Sequence, residues 1–190
     1  MTEGLVGILL AAGYSKRFGG DKLLQPLEDG VPIGVASGRN LQAAVEHGVA
    51  VVHSGAEELS SLLKGIGFSI VVNQRAAEGM GSSIACGVSA TPHASGWLIA
   101  LADMPYIPAA IVQRVADAIL DGAAIVAPSY GNERGHPVGF ANEFFAQLTL
   151  LKGDRGARSL IEQHVAQLTL IDVGDPSVLV DIDLASDIKR

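Results

Sequence analysis

The run Leu5-Val6-Gly7-Ile8-Leu9-Leu10-Ala11-Ala12 restricts the fold more than any other part of the chain. It is short, apolar at nearly every position and bounded by Gly13, the pattern of a strand buried on both faces. Such a strand has no solvent side, so it belongs in a sheet covered by helices above and below. Gly96–Ala102 repeats the pattern, and shorter apolar runs follow at Val49–His53, Ser69–Asn73, Ala124–Ala127, Val138–Phe140 and Leu168–Asp172. Between them the spacing predicts helices over about Gly34–Glu46, Ala56–Lys64, Gly79–Val88, Pro108–Gly122, Glu143–Leu151 and Ala157–His164. The segment after Pro108 carries Ile111, Val112, Val115, Ala116 and Ile119 on one face. Strands alternating with helices predict an α/β chain: a three-layer α/β/α, Rossmann-like arrangement with a mainly parallel, mixed sheet.

The 190 residues suit a single domain spanning 1–190, with no linker or internal repeat to divide it. A net charge of −7 argues against a nucleic-acid partner, whose phosphates need a basic face. The lone Cys86 excludes an internal disulfide framework and suits a reducing compartment. With no signal segment and no apolar run long enough for a membrane span, the expectation is a cytoplasmic protein without a membrane partner.

The chain turns abruptly polar after its first strand. Gly13, Gly19 and Gly20 allow a loop to fold closely around a ligand, and Lys16, Arg17 and Lys22 concentrate positive charge in an otherwise acidic protein. This composition predicts an anion site, most simply for a polyphosphate. The loop is not a Walker A sequence and lacks the Gly-x-Gly-x-x-Gly of dinucleotide folds.

Five further segments carry candidate chemistry. Asp103 follows the apolar strand Gly96–Ala102 and precedes Met104-Pro105, where a carboxylate serves either as a magnesium ligand or as a turn and N-cap residue. Asp181 and Asp183 flank Ile182 and share one face if the segment is extended, as metal ligands or as exposed carboxylates. Glu78-Gly79-Met80-Gly81-Ser82-Ser83 offers amides and hydroxyls at a helix start, for a nucleoside or for N-capping. Arg134-Gly135-His136-Pro137 and Lys152-Gly153-Asp154-Arg155-Gly156-Ala157-Arg158 are basic, glycine-containing loops suited to an anion or to solvent. His47, His53, His93 and His164 lack metal-ligand spacing, and Cys86 lies in an apolar helix, so these read as structural.

The stretch Leu10-Ala11-Ala12-Gly13-Tyr14-Ser15-Lys16-Arg17-Phe18-Gly19, with Lys22 after it, resembles the opening signature of the MobA-like nucleotidyltransferases. Leu98–Pro105 resembles the metal-binding strand end of the same family, and Asp181-Ile182-Asp183 its C-terminal metal segment. The resemblance runs from Leu10 to Asp183 and is closest to the molybdenum cofactor cytidylyltransferase branch, on Ala12 and on Arg134–Pro137. It implies the nucleotide-diphospho-sugar transferase type of fold. The implied activity is transfer of CMP from CTP to the terminal phosphate of a molybdopterin-type acceptor, with Mg²⁺ and release of pyrophosphate. Arg17 and Lys22 would then hold the triphosphate and Asp103 with Asp183 the metal, making Arg17, Lys22 and Asp103 the catalytic set. Leu10, Ala11, Ala12, Gly13, Asn73, Gly79, Ser82 and Ser83 would line the nucleotide, and Arg134 and His136 the acceptor. A molybdoenzyme or its maturation chaperone would be a partner. The same residues also suit a transferase using GTP or another acceptor, such as a sugar phosphate or methylerythritol phosphate. A non-catalytic nucleotide-binding module of molybdoenzyme maturation is the alternative outside enzymes.

Overall fold

The computed structural model describes residues 3–14 and 21–188. In chain order its elements are β1 (Glu3–Ala11), α1 (Ile33–Gln42), β2 (His47–His53), α2 (Glu57–Gly65), β3 (Phe68–Asn73), α3 (Met80–Ser89) and β4 (Ala94–Leu101). There follow α4 (Ala109–Leu120), β5 (Ile125–Tyr130), β6 (Glu133–Arg134), β7 (Val138–Ala141), α5 (Phe145–Thr149), α6 (Arg158–Gln163) and β8 (Leu168–Asp172). The strands form one eight-stranded sheet in the order β3-β2-β1-β4-β7-β5-β6, with β8 paired to β5. β1 is parallel to β2 and β4, β2 to β3 and β5 to β8, whereas β7 is antiparallel to β4 and β5. The sheet is therefore mixed and mostly parallel, as the sequence predicts.

β1 explains the layering. Leu5, Leu9 and Ala11 pack on one face with Leu41 of α1, Leu59 and Leu63 of α2, and Val115 and Ile119 of α4. Val6, Ile8 and Ala12 pack on the other with Ile84 and Val88 of α3, Leu148 of α5 and Leu160 of α6. Each buried Val, Leu or Ile side chain among them contributes about 1.5–3 kcal/mol relative to exposure. Alternate residues of one strand thus bury both faces, which is why the run contains no polar position. Trp97 of β4 is fully buried, and its indole N–H donates to Thr91 Oγ1 at 3.0 Å, so the one polar atom of that ring is satisfied inside the core.

Two local expectations change. The helix predicted over Glu143–Leu151 is a 3-10 turn at Asn142–Phe144 followed by the short α5. The segment Tyr130–His136, expected as a loop, contains β6, which pairs Arg134 with Ser129 and Glu133 with Tyr130. Gly131 and Asn132 between them both have positive φ, 58° and 69°, as a tight two-residue hairpin requires. A two-residue strand has no periodicity to read.

Pairing of Leu10 with Leu101, Ala11 with Val52 and His53 with Asn73 brings the carboxyl ends of β1–β4 to one edge. In α/β sheets this edge is where ligands bind. Among the described residues no helix is long and apolar enough to cross a membrane.

Candidate active site

At that edge the Lys22 ammonium lies 2.8 Å from Asp103 Oδ2 and 4.0 Å from Asp183 Oδ1. Lys22 begins a 3-10 turn after the glycine-rich loop, and Asp103 follows β4. The side chains are 11% and 26% exposed, so the pair is largely withdrawn from water and its attraction is stronger than on an open surface.

The neighbourhood of Asp103 is fixed by bonds that have little sequence signature. Ala102 N–H donates to Leu10 O at 3.1 Å, and Ser37 Oγ of α1 donates to Ala102 O at 2.8 Å. Asn40 Nδ2, one helical turn further on, donates to Pro105 O at 2.9 Å. Ile182 N–H donates to Asp103 O at 2.9 Å, and the Ile182 side chain is completely buried. That anchor leaves Asp181 and Asp183 on either side of it, and both line the same cavity as Asp103. Ser37 and Asn40 were not among the sequence candidates: each sits in an ordinary amphipathic helix, and only the fold brings it to the strand end.

The cavity has a volume of about 800 Å³. Leu10, Ala12, Gly13, Gly79 and Ser83, all sequence candidates for a nucleotide, line it, while Ala11 is buried in the sheet. Tyr14 also lines it, its ring stacked on His53 at 4.7 Å between centroids. Arg17 lies outside the described residues.

Asn73 and Ser82 turn away from the cavity and into one another. Asn73 Nδ2 donates to Ser82 Oγ at 2.9 Å and to Ser83 Oγ at 3.1 Å, while Asn73 Oδ1 accepts from Arg75 N–H at 2.9 Å. Ser82 Oγ in turn reaches Arg75 O and Gly79 O, at 2.9 and 2.8 Å. Both residues are buried, and they shape the turn between β3 and α3.

The two basic loops come together around Glu162. Arg155 and Arg158 both hydrogen-bond the carboxylate of Glu162, each with a contact of 3.0 Å. Burial pushes the Arg134 guanidinium below its ordinary pKa, the charge of Arg158 adds to the shift and Glu162 opposes it. Arg155 and Arg158 thus share Glu162, and Arg134 lies within the field of Arg158 and Glu162, a local excess of positive charge suited to an anion. His136 adjoins them. Its Nδ1 is buried without a hydrogen-bond partner among the described residues, and burial lowers its pKa to about 4. Arg134 reinforces that shift and the charge of Asp103 opposes it, so His136 is a neutral imidazole at physiological pH. Burial also raises the Cys86 thiol, which leaves it a poor nucleophile.

Residues 7–168 match the MobA-like NTP transferase domain. The chain belongs to this family. It is 30% identical to "Nicotine blue oxidoreductase" of Paenarthrobacter nicotinovorans, covering 98% of this chain and 95% of the relative. It is also 30% identical to the "Purine catabolism protein PucB" of Bacillus subtilis (strain 168), over 94% and 91% of the two chains. The crystal structure of a homologue of Rv0371c from Mycobacterium sp. strain JC1 superposes with a TM-score of 0.84 at 31% identity, covering 96% and 92%. The Mycobacterium tuberculosis Rv0371c complex with manganese shares the fold, with a TM-score of 0.71 at 22% identity over 100% and 95%.

For a MobA-like chain the cation site is the element to test for fit. Among the described residues no group of three or more His, Cys, Asp or Glu side chains is placed to hold a metal. Asp103 and Asp183 nevertheless converge on one ammonium, so their joint field already favours a cation. Two carboxylate oxygens suit a hard divalent ion that completes its shell with phosphate and water, the usual habit of magnesium. The residues fit.

Proposed function

We propose that this MobA-like nucleotidyltransferase transfers CMP from CTP to the terminal phosphate of a molybdopterin-type acceptor and releases pyrophosphate. The observation that carries this reading is the pairing of two charge centres. The Lys22–Asp103–Asp183 centre suits a metal-bound triphosphate, and the Arg134–Arg155–Arg158 cluster, which is not part of the cavity lining, suits a second anion. His136 lies in the field of both Arg134 and Asp103 and so links the two. One relative is named an oxidoreductase, but the opening loop of this chain lacks the fingerprint that a dinucleotide-dependent redox reaction would call for.

In this reading Ala12, Gly13, Gly79 and Ser83 seat the nucleoside, while Lys22 and Arg17 neutralise the phosphates. Asp103 and Asp183 would hold magnesium, which when bound supplies charge neutralisation at the phosphates. Arg134 and Arg158 orient the acceptor phosphate. One of its oxygens attacks the α-phosphorus of CTP, and the bond from that phosphorus to the bridging oxygen breaks. The electron pair leaves with pyrophosphate, and no protein nucleophile is required. Alignment and neutralisation of developing charge carry the rate. Neutral His136 offers hydrogen bonding rather than charge. The client would be a molybdoenzyme or its maturation chaperone, in the cytoplasm.

The test is pyrophosphate release by the purified protein with each of CTP, GTP, ATP and UTP, with and without molybdopterin cofactor, in Mg²⁺. Acceptor-dependent release with CTP is the expected result. A preference for GTP, or release that ignores the acceptor, would overturn it.

A further inference from the structure

The polar side chains that the sequence offers to a nucleoside are mostly engaged elsewhere. Asn73 and Ser82 are buried and hydrogen-bonded to one another. Away from Lys22, Asp103, Asp181 and Asp183, the polar side chains lining the cavity are Tyr14, Ser83 and Asp154. Tyr14 is stacked on His53, and Ser83 Oγ already accepts from Asn73. The Asp154 carboxylate has no hydrogen bond or ion pair among the described residues.

Asp154 is held in this position by the start of α3. Gly81 N–H donates to Gly153 O at 2.8 Å. A Cβ on Gly81 would lie 2.7 Å from the backbone of Lys152, and one on Gly79 would lie 2.3 Å from Asp154 Oδ1 itself. Gly79 also has φ of 102°, a conformation that side chains disfavour. Two glycines therefore let the loop at 152–154 rest directly on the turn that precedes α3, and the carboxylate faces the same cavity as Gly79.

We infer that Asp154 is a specificity-determining residue, its carboxylate accepting a hydrogen bond from an N–H or O–H donor of the bound nucleoside. The donor is the exocyclic amine of cytosine or a ribose hydroxyl. An ionised carboxylate only accepts, so it favours a ligand with a donor there. It disfavours one that presents a carbonyl, as uracil does in place of the cytosine amine. The inference rests on the nucleotide reading of this cavity and adds the residue that discriminates within it.

The experiment is calorimetric titration of the wild type, Asp154→Asn and Asp154→Ala with CTP, dCTP and UTP in Mg²⁺. In the wild type CTP binds tighter than at least one of the other two. Asp154→Ala weakens CTP by about tenfold or more, the usual worth of a hydrogen bond to a charged group. A CTP-to-UTP ratio that collapses toward one identifies the amine, and a CTP-to-dCTP ratio that collapses identifies the ribose. A merely structural role at the start of α3 would weaken all three nucleotides alike. Unchanged ratios in both folded variants, checked by thermal melting, overturn the inference. If the wild type selects a different base, the cytidylyl reading falls. The same comparison then uses that nucleotide, its deoxy form and its base analogue, and unchanged ratios there still overturn the role of Asp154. Absence of any nucleotide binding overturns both.

Discussion

Lys22 is joined to Asp103 across 81 residues of sequence by a hydrogen bond of 2.8 Å, with Asp183 4.0 Å away on the other side of the ammonium. The contacts connect the 3-10 turn that begins at Lys22 with the end of β4 and with the C-terminal segment. Asp103 and Asp183 are like charges approaching one cation, so removing that cation leaves the largely buried Asp103 carboxylate without its partner, while Asp183 stays half exposed to water. Lys22→Met should therefore destabilise the protein by about 1–3 kcal/mol, the penalty of a partly buried charge that has lost its partner. Urea unfolding measures this. The same variant should raise the CTP concentration needed for half-saturation by about tenfold, since one phosphate contact of the charge-assisted kind is lost. An unaltered CTP titration would take Lys22 out of the phosphate site.

Asp103→Asn keeps the shape of the strand end, and Ile182, Ser37 and Asn40 still hold its backbone. The substitution removes a charge that matters most as the transferred phosphate develops its own. Turnover should fall by about 10²- to 10³-fold while CTP binding changes only a few-fold. Single-turnover pyrophosphate release together with calorimetry separates the two quantities. Near-normal release would refute the metal assignment.

The fold was legible because β1 and β4 are apolar on both faces, a demand that few arrangements other than a covered sheet satisfy. The charged centre was legible for a different reason: Lys22, Asp103 and Asp183 are charges that interrupt or flank apolar segments. Ser37 and Asn40 were not readable, because their partners are backbone carbonyls 65 residues away and a backbone acceptor leaves no residue-type signature. Asn73 and Ser82 illustrate the opposite case. Their residue types suit a nucleoside, but the same hydroxyl and amide groups satisfy a buried turn equally well. Sequence records the groups, and only packing decides whom they bond.

Asn73→Ala tests that distinction. The substitution strands the Arg75 N–H and removes the donors to Ser82 and Ser83. Its expected cost is about 1–3 kcal/mol of stability, visible as a lower urea midpoint. Because the side chain faces the turn rather than the cavity, CTP, UTP and GTP should weaken to the same extent. A loss confined to one base would identify Asn73 as a base-reading residue.

Arg134→Ala and Arg158→Ala test the acceptor role proposed for this cluster. Arg158 shares Glu162 with Arg155, and its charge also reaches Arg134. Each variant should raise the acceptor KM by about tenfold and leave the CTP KM within twofold, as expected for one lost phosphate contact. Salt should diminish the wild-type advantage because these groups are partly exposed. A rise in the CTP KM instead would move the guanidinium cluster to the nucleotide.

His136 gives the protein a pH-dependent stability whose sign is set by burial. Its pKa falls from the ordinary 6.5 to about 4 in the folded chain. The contribution is fully present above pH 6.5, where both folded and unfolded forms carry neutral imidazole. As pH falls below that value the unfolded chain takes up a proton that the native chain refuses, so stability drops until about pH 4. The integrated loss is of the order of a few kcal/mol, at about 1.4 kcal/mol for each pH unit crossed. Carboxylate titration overlaps the lower part of this window, so the comparison that isolates His136 is with His136→Asn, which cannot titrate. Urea unfolding at pH 7.5, 6 and 5 should find the wild type losing stability faster than the variant with each step. Parallel losses would mean that the imidazole is hydrated and protonates freely in the native state.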